Sequence, residues 1–131
     1  MQWDRVLGKR EPSEVEPLEF RGAADWESWL AANQEGQAEA WLLIGKRHSG
    51  AALISIEEAL DVALCHGWID GQRKAHNDVA FLQRYSRRRV RSSWSRVNLV
   101  KAEALIAAGR MRPSGLAEIE AAKADGRWDA L

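Results

Sequence analysis

At 131 residues, 46% of them hydrophobic and 29% charged, the chain is long enough for one domain with a real core and too short for two ordinary ones. Nineteen basic and nineteen acidic side chains cancel, and the pI of about 6.8 argues against a dedicated nucleic-acid binder, which is basic overall. No apolar run approaches the ~20 residues of a membrane-spanning helix, and one cysteine, Cys65, excludes an internal disulfide.

Residues 1–17 read as a loosely held polar arm punctuated by Pro12 and Pro17, leaving 18–131 as the domain. The arm has no apolar stretch followed by a small-residue cleavage site, so no secretory signal is visible. Together with the lone cysteine, this makes the bacterial cytoplasm the expected location. Leu18-Glu19-Phe20 alternates like a short strand. Gly22 then caps a helix in which Trp26, Trp29, Leu30 and Asn33 share one face. Gln34 to Gln37 breaks that helix, and Ala40 to Ile44 is an apolar run of strand length.

Ser55-Ile56-Glu57-Glu58 is a capping box, opening a helix with an Ile56, Ala59, Leu60, Ala63, Leu64 stripe that stops at Gly67. Gly71 to Tyr85 reads as a hairpin turning at Asn77-Asp78. Ser95 caps a further helix to about Ala108, with Val97, Val100, Ala104, Leu105 and Ala108 expected inward and Gly109 as its stop. Pro113 starts the last helix, which Gly126 ends. The sum is an α+β fold: one compact domain of about four helices and a small antiparallel sheet.

Charge is not spread evenly along the chain. Glu11 to Glu39 holds eight acids against Arg21, while Arg73 to Lys101 holds nine bases against Asp78. Either the two stretches neutralise each other within the fold, or they face different partners. The basic stretch crowds Arg84, Arg87, Arg88, Arg89 and Arg91 among Trp68, Phe81, Tyr85 and Trp94. Guanidinium forks fit phosphate and carboxylate, and exposed aromatics stack on bases, so this composition suits an anionic ligand or a single-stranded nucleic acid. The plainer reading is an acid-paired loop with its aromatics in the core.

Several ordered motifs resemble one known family. They are Trp26-Glu27-Ser28-Trp29-Leu30, Ala63-Leu64-Cys65-His66-Gly67-Trp68-Ile69-Asp70-Gly71, Arg84 to Arg89, Ser93-Trp94-Ser95 with Asn98, Gly109-Arg110-Met111, and Ala121 to Trp128. Between about Leu18 and Trp128 the chain is similar to the YdeI/OmpD-associated, or bacteriocin-protection, family. That resemblance implies a role in resistance to antimicrobial peptides and envelope stress, and it supplies no catalytic residue or cofactor. Three features depart from the family. Arg87 and Val90 stand where it has prolines, Arg112 replaces a threonine before Pro113, and the periplasmic location described for some members finds no export signal here.

The candidate ligand-binding residues are Trp68, Asp70, Arg84, Arg88, Arg89, Trp94, Ser95 and Asn98, with Arg88 and Arg89 foremost. Gly67 to Gly71 forms a tight corner at which an indole and a carboxylate could line a pocket. Ser95 and the helix it opens offer a positive dipole end, or simply a cap. Neighbouring Cys65 and His66 point about 100° apart on a helix, which disfavours a nucleophile–base pair. His48, His66 and His76 lack metal-ligand spacing, so neither metal nor cofactor is expected. The expected function is non-enzymatic stress protection through an anionic ligand or partner bound at this Arg- and Trp-rich surface. The alternatives are an RNA or single-stranded nucleic-acid binder, and a small enzyme using Asp70 or His66 as general base.

Overall fold

The computed structural model describes residues 16–131. The elements run α1 (Ala23–Asn33), β1 (Glu39–Gly45), α2 (Ile56–Cys65), β2 (Trp68–Ala75), β3 (Ala80–Arg87), α3 (Arg96–Ala107) and α4 (Pro113–Ala124). Among the described residues, four helices beside a three-stranded antiparallel sheet of order β1-β3-β2 make the fold α+β. The expected arm, residues 1–17, lies outside the described residues up to position 15.

The hairpin is longer than expected at both ends because β2 starts at Trp68, directly after the corner. Its turn is held by Asn77 Oδ1, which accepts from the Val79 and Ala80 N–H groups, both at 2.9 Å. A bulge between Asp70 and Arg73 sets Gly71 and Gln72 opposite Arg84. Gln83 compensates: its buried amide donates to the carbonyls of Gly71 at 2.9 Å and Gln72 at 3.1 Å. The stretch at Leu18 is reduced to one parallel bridge, where Leu18 N–H donates to Trp41 O and Leu18 O accepts from Leu43 N–H.

One face of the sheet packs on α1 and α2. Trp26 sits at its centre, with ring centroids 5.6 Å from Trp29, 5.5 Å from Tyr85 and 6.2 Å from Trp68. Its indole N–H donates to Ala59 O at 3.0 Å, so the largest core side chain also ties α1 to α2. Leu30, Leu42, Ile44, Val62 and Ala63 complete that cluster. Helix α2 opens with the capping box read from Ser55 and Glu58 and turns its other side to a second cluster. There Leu64, Cys65, Trp94, Leu105, Ile119 and Trp128 join α2 to α3 and α4. On the opposite face of the sheet, Trp41, Leu43, Ala80 and Leu82 are also buried.

Helix α3 begins after Ser95 and stops before Gly109, as expected, but its inward face differs. Val97 is 66% and Val100 57% exposed, and Ala104 and Ala108 also face solvent. Leu105 is inside, together with Ala102 and the half-buried Leu99. Two leucines outweigh small Val and Ala side chains in buried area, and at about 100° per residue the Val and Ala positions fall on nearly the opposite side of the helix from Leu99, Ala102 and Leu105.

Helix α4 approaches α2 at Gly115, where an added Cβ would lie 2.3 Å from Cys65 O and 2.6 Å from Met111 Sδ. Gly115→Ala is therefore expected to destabilise the fold by at least ~1–3 kcal/mol, the cost of overpacking a closed interface. Urea denaturation of the two proteins measures this, and an unchanged midpoint would contradict the close approach.

Candidate functional site

The site is built around the corner where α2 hands over to β2. Gly67 has φ +81°, a conformation that favours glycine. An added Cβ there would also lie 2.8 Å from Ser114 O at the start of α4. Gly67 O accepts from Arg88 N–H at 3.0 Å, which pins the end of β3 to the corner. Next to it, His66 O accepts from Gln34 Nε2 at 3.2 Å and from Ser114 Oγ at 2.9 Å. Three segments distant in sequence, those of Gln34, Arg88 and Ser114, are thus tied to two successive residues.

They form a half-open cavity of about 240 Å³ lined by Gln34, His66, Gly67, Arg87, Arg88, Ser114 and Glu118. Arg88 is its charged anchor. Only 8% exposed, its guanidinium lies 3.6 Å from the Trp94 ring centroid, and Nη1 donates to Ser92 Oγ at 3.1 Å and Ser93 O at 3.0 Å. Stacking and two hydrogen bonds hold the head group in one place. Its Nη2 has no partner, and neither has Gln34 Oε1. A buried polar atom left unpaired costs ~1–3 kcal/mol, which a ligand supplying the missing partner recovers. Burial pulls the guanidinium down to about 10, with Glu118 and Asp70 opposing, so it stays charged at neutral pH. Burial also pushes the Glu118 carboxyl up, against the pull of Arg88 and Arg127.

On the far side of His66 lies a second polar cluster. His66 Nε2 is 3.4 Å from Glu27 Oε1, and Arg112 holds that same oxygen through Nε at 2.9 Å and Nη2 at 2.8 Å. The buried Cys65 thiol is pushed up by desolvation, which leaves it a poor nucleophile. Among the described residues, no group of His, Cys, Asp and Glu is placed to hold a metal ion.

The sequence-predicted residues divide sharply. Arg88 lines the cavity and Trp94 lies beneath it. Trp68 is fully buried in the core, so the expected indole platform is not available to a ligand. Asp70, next but one along β2, is exposed rather than set beside it in a pocket. Arg84 lies on the opposite sheet face, paired with Glu39 Oε2 at 3.4 Å, which joins the basic to the acidic stretch within the described residues. Arg89 is exposed. Ser95 Oγ accepts from Asn98 N–H at 3.0 Å, so these two form the plain cap of α3. Sequence reasoning missed Gln34, Ser114 and Glu118 as lining residues, and the one usable signal was Glu118 one turn after Ser114 on α4.

A larger hollow of about 460 Å³ lies at the hairpin-turn end of β3, between Phe20, Arg21, Leu53, His76 and Val79. None of the buried unpaired polar atoms belongs to its walls. The smaller cavity is therefore the chemically stronger site.

Residues 18–118 match the model of a family described as a domain of unknown function, DUF8412. The chain belongs to that family. Every residue lining the Gly67 cavity falls inside the matched span. No curated protein and no solved structure matches the chain.

The buried imidazole gives this region a pH signature. Desolvation pulls His66 below its ordinary value near 6.5, with Glu27 opposing. The unfolded chain then takes up the proton at higher pH than the folded one, so the stability tied to neutral His66 is full above about 6.5. It falls as pH drops below that value towards the lower folded pKa. Glu27, held down chiefly by its Arg112 hydrogen bond, loses its contribution only in more acid solution. Urea midpoints measured between about pH 7 and about pH 5 should fall less in His66→Gln than in the parent protein. Parallel curves would show that His66 is not buried neutral.

Proposed function

We propose that this protein is a non-enzymatic binding protein that takes a small anionic ligand at the Gly67 corner, with Arg88 as the anchoring cation. The observation that carries this reading is the Arg88 guanidinium: nearly buried, fixed by Trp94, Ser92 and Ser93, and left with Nη2 unpaired beside a cavity. A charge that is desolvated and only partly satisfied attracts an oxyanion far more strongly than a solvated one. The resemblance to the YdeI/OmpD-associated family supports a protective role against antimicrobial peptides or envelope stress as the setting for such binding, in the cytoplasm. Among the described residues, no helix is long and apolar enough to cross a membrane.

Two other readings draw less support. Nucleic-acid stacking requires exposed aromatics, whereas Trp68, Tyr85 and Trp94 are all buried. General-base catalysis has one observation in its favour, since His66 lines the cavity and contacts a carboxylate that Arg112 holds in place. Asp70, in solvent, lacks the enclosure that role requires.

Calorimetric titration with inorganic phosphate and with acetate tests the proposal. Arg88→Met should weaken binding by about 10-fold or more, the worth of a charge-assisted hydrogen bond. Glu118→Gln should tighten it several-fold, because a competing carboxylate leaves the cavity. Circular dichroism and Trp fluorescence separate lost binding from lost folding in Arg88→Met. Binding that ignores both substitutions, or no binding of either anion to the parent protein, would overturn the proposal.

A further inference from the structure

The walls of the Gly67 cavity are not those of a simple anion site. Arg87 and Arg88 supply positive charge, but Glu118 lines the same space with a half-buried carboxyl. Arg87 is partly spent, with Nη1 donating to Gln34 O at 3.1 Å. Gln34 adds an acceptor, because its Nε2 is committed to His66 O while Oε1 is buried without a donor. The residues lining the cavity thus include one unmet donor, Arg88 Nη2, and one unmet acceptor, Gln34 Oε1, with a full charge of each sign beside them; His66 Nε2, also without a hydrogen bond, faces Glu27 instead.

A ligand bearing only an anionic group satisfies Arg88. It leaves Gln34 Oε1 unpaired and meets repulsion from Glu118. A ligand bearing only an ammonium group has the converse fault. Only a molecule with both groups answers both Arg88 Nη2 and Gln34 Oε1, and a buried charge left without its partner is penalised. A volume of about 240 Å³ restricts it to a small molecule.

We infer that the cavity binds a small zwitterion of the amino-acid class, its carboxylate on Arg88 and its ammonium on Glu118 and Gln34 Oε1. This rests on the anion-binding reading above and narrows it. Arg88 Nη2 and Gln34 Oε1 are themselves buried, so a ligand reaches them only when side chains at the cavity rim give way. The site selects by charge pattern, and the distance between the two groups sets the preferred chain length.

Titration of the full chain with glycine, β-alanine and 4-aminobutyrate, each beside the acid and the amine of matching length, tests the inference. The best zwitterion should bind at least about tenfold more tightly than its matching acid, the effect of one added charge-assisted contact. Glu118→Gln should erase that margin while leaving the acids bound equally or more tightly. Acids that bind as well as every zwitterion would overturn the zwitterion inference and leave the anion reading standing. If neither acids nor phosphate bind, both fall. A margin that survives Glu118→Gln would also overturn the assignment, since the ammonium would then sit elsewhere.

Discussion

The geometry of the cavity depends on one residue that has no side chain. At Gly67 the helix α2 ends, the backbone turns through positive φ, and two neighbouring segments close to hydrogen-bond or van der Waals distance. Arg88 N–H reaches the Gly67 carbonyl, and the first turn of α4 stands where a Cβ would otherwise project. With those contacts made, His66 O becomes the shared acceptor for Gln34 and Ser114. Any larger residue at the corner would move α4 away and release the walls of the cavity together.

The electrostatics follow from that packing. The fold draws several members of the basic stretch away from one another, while Arg87, Arg89 and Arg91 stay exposed. Arg84 is turned to the far side of the sheet and meets Glu39, Arg73 lies over the Phe81 ring, and Arg96 donates to the Leu131 carbonyl. Arg127 and Arg112, outside the stretch, pair with Asp125 and Glu27. Arg88 differs from all of these in being desolvated while one of its nitrogens stays unpaired. The proposed binding therefore rests on the environment of one arginine rather than on their number, which a count of charges cannot register.

Local signals in the sequence were good guides to the frame. Ser55 with Glu58, Gly67, Gly109 and Gly126 each mark an element end by interactions within four residues, and each stands where the chain pattern places it. The α3 face departs from the reading because valine and alanine form a competing stripe on nearly the opposite side of the helix from Leu99, Ala102 and Leu105. The site was only half legible. Arg88 with Ser92, Ser93 and Trp94 is a local unit and stood out. Gln34 and Ser114 meet His66 across 32 and 48 residues, contacts that arise from topology and leave no periodic trace. Trp68 and Asp70, read as partners, separate because the same strand passes from the core at one residue to solvent two residues later.

The central claim, that Arg88 anchors a ligand at the Gly67 corner, is tested most directly by following backbone amide and Trp indole resonances while glycine and phosphate are titrated in. The account predicts that Gly67, Arg88, Ser114 and the Trp94 indole shift together along one saturating curve, with Arg21, His76 and Asn77 unmoved. Shifts gathered at the larger hollow beside His76, with the corner silent, would contradict it.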